Sequence, residues 1–205
     1  MWLLKFFKKS NSDKMKKFLI VGLGNIGEEY KETRHNIGFK ILNELIDKFG
    51  KEFEVSRYAL RSKFNFKGKA FVCIKPSTYM NLSGKAVKYW MNKEKIDLKN
   101  ILIITDDINI PMGKLRLKGR GSSGGHNGLE DIEKSLNTIH YSRLRFGIGK
   151  PNKLSQVDYV LGEWSSEEKI ILNEKVKICS DLILSFCLTG LSNTMNSYNN
   201  NQGTV

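Results

Sequence analysis

Short apolar runs recur along the chain, and each is followed by glycine, proline or polar residues. Residues 18–21 and 100–104 are rich in β-branched side chains and predict strands buried inside a sheet. Residues 62–75 are typical of a β-hairpin with its turn at 67–68. Alternation in residues 114–118 predicts a strand with basic residues on one face and leucines on the other.

Apolar residues at helical spacing lie between these runs. They predict helices over residues 37–49, around Ala86–Trp90, over 129–136 and over 167–188. Strands that alternate with helices favour the α/β class, and a length of 205 residues suits one domain. We therefore predict a single-domain α/β/α sandwich around a mixed, mostly parallel, twisted sheet.

The two ends of the chain differ from this core pattern. We expect a disordered N-terminal extension over residues 1–15, a folded domain over 16–192 and a frayed, asparagine-rich tail over 193–205. The opening apolar run is interrupted by Lys5 and is too short to cross a bilayer. With no small-residue cleavage site behind it, we predict neither a signal peptide nor a membrane anchor.

The charge balance is strongly basic, with 34 Lys and Arg against 21 Asp and Glu and a formal net charge of +13. Such an excess favours a polyanionic partner, nucleic acid before an anionic membrane surface. A lysine-rich source with no such partner is the alternative. Three cysteines in apolar surroundings predict reduced core residues of a cytosolic protein. The three histidines lack ligand spacing, so no metal site is predicted.

Residues 22–27 match the G-x-G-x-x-G spacing of a dinucleotide-binding loop. That loop normally opens a helix at its third glycine, whose amides face the pyrophosphate. Here a polar segment follows, and the helical period starts only near Asn36. A nicotinamide-dependent enzyme therefore stays a rival interpretation. The glycine spacing fits it, but the predicted helix does not start at the third glycine.

Unusual polar groups follow three predicted strands. They are Asn25 with His35, residues 78–81, and Asp106, and the glycine-rich loop adds His126 and Asn127. Ligands of open α/β sheets bind at the carboxyl ends of strands, and histidine beside a carboxylate is the usual general base. Each residue also has a plainer explanation: Asn36 or Thr33 as a helix cap, Asp106 as a turn residue, Tyr79 and Met80 as core. Together they favour a catalytic cleft.

From about residue 17 to 198 the chain resembles the bacterial-type peptidyl-tRNA hydrolases. The resemblance rests on several long matches in the same order: residues 19–25, Tyr30 with 33–38, residues 75–84, Asp106 with 111–113, residues 124–128 and residues 143–149. It implies hydrolysis of the ester between a peptide, or an N-blocked aminoacyl group, and the 3′ end of tRNA, which releases tRNA for reuse in translation. It also implies a cytoplasmic monomer with no metal or cofactor.

Carried over residue by residue, the resemblance assigns the site. His35 would be the catalytic base and Asp106 its orienting carboxylate. Substrate and tRNA contacts would come from Asn25, Tyr30, Tyr79, Met80, Asn81, Asn127, Arg116, Lys118 and Arg145. Ile26 stands where the family usually has proline, which predicts a less firmly held Asn25. The remaining alternative is a catalytically silent RNA-binding member, as among chloroplast splicing factors.

Overall fold

The computed structural model describes residues 15–151 and 154–199. Within these residues one mixed sheet holds seven strands: β1 (Lys16–Gly22), β2 (Glu54–Ser56), β3 (Ala59–Phe66), β4 (Lys69–Pro76), β5 (Ile101–Asp107), β6 (Leu115–Lys118) and β7 (Ser142–Gly147). The helices are α1 (Ile37–Lys48), α2 (Ser83–Glu94), α3 (Asn127–Leu136), α4 (Gln156–Val160), α5 (Ser166–Thr189) and α6 (Leu191–Asn199). The predicted N-terminal extension lies outside the described residues, apart from the exposed Met15.

The strand order is β2-β3-β4-β1-β5-β7-β6. The four central strands, β4, β1, β5 and β7, pair in parallel, whereas the pairs β2–β3, β3–β4 and β6–β7 are antiparallel. The predicted α/β class and mixed sheet are confirmed, with the parallel pairing confined to the centre. The hairpin turn also lies where it was predicted, with positive φ at Lys67 and Gly68.

Helices cover both faces of the sheet. On one face α1 and α5 pack over Phe18, Ile20 and Leu102, and on the other α2 and α3 pack over Leu19, Val21 and Ile103. Successive side chains of a strand point to opposite faces, so a central strand must be apolar throughout. Every residue of β5 is buried. Among the described residues, no helix combines the length and the apolar character needed to cross a membrane.

Glycines 22 and 38 bring β1 and α1 into close contact. A Cβ on Gly22 would overlap the carbonyl group of Gly38, and a Cβ on Gly38 would overlap the backbone of Leu23. The 3₁₀ turns Glu28–Tyr30 and Arg34–Asn36 separate the end of β1 from α1. Gly22 therefore serves helix–strand packing, and only a 3₁₀ turn opens at Gly27, not the α-helix that a dinucleotide loop requires.

The C-terminal segment differs from its prediction. Residues 191–199 form α6, where fraying was expected from Asn193, and the expected fraying of 200–205 lies outside the described residues. The Asn199 amide accepts a hydrogen bond from Leu117 N and donates one to Leu117 O, both 2.9 Å long. Asn199 thus pairs both backbone groups of Leu117 at the open edge of β6, as a neighbouring strand would.

Replacing Asn199 by alanine is expected to lower the free energy of unfolding by roughly 1–3 kcal/mol, because the buried backbone groups of Leu117 lose their partners. Urea unfolding followed by circular dichroism measures the change. Asn196→Ala, an exposed asparagine of the same helix, is the matched control. Equal unfolding midpoints for the two variants would show that the Asn199–Leu117 pairing adds nothing to stability.

Candidate active site

The polar residues predicted to follow the strands meet at one edge of the sheet. Asp106 lies near the carboxyl end of β5, and Asn25 follows β1, the adjacent parallel strand. His35 comes from the 3₁₀ turn before α1, and His126 is the N-cap of α3. This is the edge at which parallel sheets usually bind ligands.

Asp106 and His35 form a buried pair. His35 Nδ1 lies 3.0 Å from both carboxylate oxygens of Asp106. Because the carboxylate only accepts, His35 donates from Nδ1 and keeps its lone pair on Nε2. No described residue forms a hydrogen bond with Nε2. This is the tautomer that a general base needs.

His126 is the second partner of Asp106, which the sequence did not indicate. Its Nδ1 accepts hydrogen bonds from the backbone N–H groups of Gly128 and Leu129, so its proton lies on Nε2. Nε2 is 3.0 Å from Asp106 Oδ1 and 2.6 Å from Thr105 Oγ1. Asp106 therefore accepts hydrogen bonds from two imidazole rings, which also lie against each other with centroids 4.9 Å apart.

These contacts shift the pKa of Asp106 and the pKa of His35 in opposite directions. Burial alone would raise the pKa of Asp106, but electrostatic attraction to the two histidines and their hydrogen bonds hold it well below its usual range. Burial would lower the pKa of His35, but the charge of Asp106 and its hydrogen bond outweigh that effect and raise the pKa above the ordinary value of 6.5. Asp106 is thus ionised at neutral pH, and His35 is a stronger base than a free histidine.

The residues on either side of His35 anchor its turn. The Arg34 guanidinium forms an ion pair with Glu168 at 2.8 Å and donates to the Tyr159 carbonyl group at 3.2 Å. The Asn36 amide accepts from Asn25 N at 2.8 Å and donates to Asn25 O at 2.9 Å. Thr33 and Asn36 do occupy the N-cap positions of the 3₁₀ turn and of α1, as the plainer interpretation had it, but neither side chain forms a capping hydrogen bond.

Asn25 is firmly held despite Ile26. Its Oδ1 also accepts a hydrogen bond from Met80 N at 2.9 Å, while the Ile26 side chain is exposed. The expectation of a loosely held Asn25 is therefore wrong. Met80 is 4% exposed and belongs to the core beneath α2 and α3, as its plainer interpretation had it. The amide nitrogen of Asn25 has no hydrogen-bond partner among the described residues and is free for a ligand.

A cavity of about 240 Å³ opens over the two histidines. Its lining includes Asn127, Arg145 and three residues of the α4 segment, and comprises His35, Asp106, Asp107, Ile108, Ser123, Gly124, Gly125, His126, Asn127, Arg145, Gln156, Val157 and Val160. Asn25, Tyr30, Tyr79, Met80 and Asn81 do not line it. Tyr79 and Asn81 are exposed and Tyr30 is half-buried.

The predicted basic residues occupy two environments. Arg116 and Lys118 are exposed on β6, while Leu115 and Leu117 are buried, as the alternation predicted. Arg145, on β7, pairs with Asp107 at 2.8 Å and donates to the Ser122 carbonyl group at 2.6 Å. Arg145 therefore holds the glycine-rich loop, and its contact with tRNA stays a prediction.

His35, Asp106 and His126 also form a potential metal-binding group, with ligand atoms within 4.8 Å of one another. In this arrangement both imidazoles already donate to the carboxylate, which gives all three side chains partners without an ion. The cysteines offer no further ligands. Cys73, Cys179 and Cys187 are free and buried, and burial raises the pKa of the Cys73 and Cys179 thiols.

Comparisons with known proteins agree on one family. A family model described as peptidyl-tRNA hydrolase matches residues 19–204. The peptidyl-tRNA hydrolase of Phocaeicola vulgatus is 52% identical over 184 residues, 89% of this chain and 98% of that protein. The protein of the same name from Clostridium botulinum is 42% identical over 185 residues, 89% of this chain and 96% of that protein. A crystal structure of the Acinetobacter baumannii peptidyl-tRNA hydrolase has a TM-score of 0.85 at 34% identity, covering 91% of this chain and 96% of that one. The chain belongs to the peptidyl-tRNA hydrolase family.

Proposed function

We propose that this chain hydrolyses the ester between a peptide and the 3′ end of tRNA, with His35 as general base and Asp106 as its orienting carboxylate. One observation carries the assignment: His35 Nδ1 is bonded to Asp106 beside an open cavity, and Nε2 has no partner among the described residues. An ester with a ribose leaving group needs an activated water, a polarised carbonyl and orientation. These side chains can supply all three.

The reaction runs in two proton-balanced steps. His35 Nε2 takes a proton from water while the water oxygen bonds to the ester carbonyl carbon, which gives a tetrahedral oxyanion. The bond from that carbon to the ribose 3′ oxygen then breaks, and the imidazolium returns its proton to the ribose oxygen. Asp106 stabilises the imidazolium between these steps, and His126 keeps the carboxylate in place.

Amide side chains are suited to holding the reacting groups. The unpartnered Asn25 nitrogen can donate to the developing oxyanion, since preorganised donors stabilise charge as it forms. Asn127 lines the cavity and can orient water or substrate. Asn81 at the head of α2 can hold the substrate at the mouth of the cleft, beside Tyr79 and Tyr30. We expect the protein to act in the cytoplasm as a monomer, which size-exclusion chromatography can test.

The direct test is release of N-acetyl-aminoacyl groups from tRNA by the purified protein. Turnover should persist in excess EDTA, because His35, Asp106 and His126 satisfy one another without an ion. Binding of tRNA without turnover would favour the silent RNA-binding alternative, and loss of turnover in EDTA would indicate a metal at these three residues. Titration of NADH fluorescence tests the nicotinamide rival, which micromolar binding would support.

The exposed cations of β6 are proposed to bind tRNA phosphates. Each phosphate contact releases counterions and contributes roughly −0.7 to −0.9 to the slope of log affinity against log salt. Replacing Arg116 and Lys118 by alanine should therefore flatten that slope by about one to two units and raise KM. Turnover at saturating tRNA should stay near wild type, because these side chains bind substrate and transition state alike.

The matched control removes the same charge from the opposite face of the sheet. Lys169 and Lys177 are exposed on α5, and replacing both by alanine should leave the slope close to wild type. Slopes that coincide for the β6 variant and the α5 variant would mean that the β6 cations form a solvated face with no partner.

A further inference from the structure

A second cationic surface, formed by Arg57, Tyr58, Lys85, Tyr89 and Lys93, lies on the α2 side of the sheet. Three of these residues share one face of α2, because Lys85, Tyr89 and Lys93 follow one another at four-residue spacing. Asn81, a predicted substrate contact outside the cavity lining, lies just before this helix in the 3₁₀ turn Met80–Leu82, whose Met80 N donates to Asn25 Oδ1 at 2.9 Å. The surface therefore runs along α2 from the turn that contacts Asn25. Lys85 and Lys93 are about 12 Å apart along the helix axis.

The turn between β2 and β3 supplies the other two members. Trp90 Nε1 donates to the Arg57 carbonyl group at 3.0 Å, and Ser77 N donates to the Tyr58 carbonyl group at 2.9 Å. Tyr58 has a φ of +63°, a backbone conformation that is uncommon for a residue with a side chain. These two hydrogen bonds hold the Tyr58 ring against Tyr89, with centroids 5.4 Å apart and planes at 90°.

Aromatic rings hold the cations in place. The Lys85 ammonium lies 4.6 Å from the Tyr58 ring centroid, and the Arg57 guanidinium lies 5.1 Å from it. Lys93 lies 4.7 Å from the Trp90 centroid and 5.4 Å from that of Tyr89. Such contacts restrict long side chains that would otherwise lose entropy on binding.

The cations of this surface are not paired with described carboxylates, although Asp131 accepts from the neighbouring Gly84 N at 2.6 Å. Arg57, Lys85 and Lys93 are exposed, and none forms an ion pair with a described residue. The nearest acid in sequence, Glu94, is buried and pairs with Lys17 and Lys63 instead. A hydrogen bond from Arg57 and the charge of Lys85 lower the pKa of Tyr58, as expected where the potential is positive.

We propose that this surface binds the phosphate backbone of the tRNA beyond its 3′ end, so that the substrate is held on the α2 side as well as on β6. The inference rests on the proposed function. An RNA strand supplies negative charges at regular intervals, which matches cations spaced along a helix. Because the surface begins at the turn whose Met80 bonds to Asn25, the RNA that enters the cleft is the appropriate occupant.

The test compares Lys85→Gln combined with Lys93→Gln against a control of equal charge, Lys169→Gln combined with Lys177→Gln on α5. Fluorescence anisotropy measures binding of deacylated tRNA and of a short single strand ending in CCA, which reaches only the cleft. The α2 variant should bind tRNA about tenfold to fiftyfold more weakly at 0.1 M salt, with a slope flatter by about one to two units. Binding of the short strand should be unchanged, as should the melting temperature.

The outcomes separate this inference from the proposed function, since binding is measured without turnover. If the wild type binds tRNA and the two double variants behave alike, the α2 surface has no role in tRNA binding. Equal weakening of the short strand and of tRNA would also overturn the inference, because the lysines would then act at the cleft. A wild type that fails to bind tRNA would refute the proposed function together with this surface.

Discussion

Replacement of His35 by alanine is expected to lower turnover of N-acetyl-aminoacyl-tRNA by about two to four orders of magnitude, the span for a lost general base. KM should change little, because His35 acts on water and the leaving group and not on the tRNA body. His140→Ala removes an exposed histidine from outside the cleft and is the matched control. Single-turnover kinetics at saturating enzyme measure the chemical step.

Near-wild-type turnover of the His35 variant would mean that another residue is the general base. His126 would be the next candidate, although both of its nitrogens already have partners. Its Nδ1 accepts from two backbone amides, and its Nε2 donates towards Asp106 and Thr105. His35 Nε2, by contrast, has no partner among the described residues and can bind water. We therefore expect a larger loss of turnover from replacing His35 than from replacing His126.

Replacement of Asp106 by asparagine is expected to cut turnover by about two to four orders of magnitude while tRNA affinity is kept. An asparagine that accepts from His126 through Oδ1 turns its amide group towards His35 Nδ1. His35 Nδ1 then faces a donor, which favours the tautomer with the proton on Nε2, and in that tautomer the base is lost. Asp181→Asn, which alters an exposed carboxylate on α5 that pairs with Lys48, is the control.

The pH profile checks the same contact. A base works when neutral, so turnover falls as pH falls through the pKa of His35, which Asp106 raises above 6.5. Without that charge, burial lowers the pKa, and the acidic limb of the residual activity should move to lower pH. Combining the variant with His35→Ala should add little further loss. If the acidic limb of the pH profile does not move, or if the losses of turnover are additive in the double variant, the two residues act separately.

The chain's hydrophobic periodicity determined most of the architecture. The buried strand over 100–104, the hairpin and the long helix over 167–188 were predicted near their observed bounds because each depends on a local apolar pattern. The meeting of Asn25, His35 and Asp106 at one sheet edge was also predictable, since polar residues that follow parallel strands gather there. The short edge strand β2 escaped notice because its residues are mostly exposed and carry no alternation.

Only the tertiary structure decided which polar side chains pair. Asp106 meets His35 across 71 residues and His126 across 20, and Asn199 meets Leu117 across 82, contacts set by strand order and register. Asn36 lies at the N-cap of α1, but its side chain bonds to Asn25, and Asn199 at the end of α6 bonds to the edge strand β6. Apolar burial is nearly non-directional and can be predicted from local spacing, whereas a hydrogen bond requires two atoms about 3 Å apart, a distance that the packed fold alone determines.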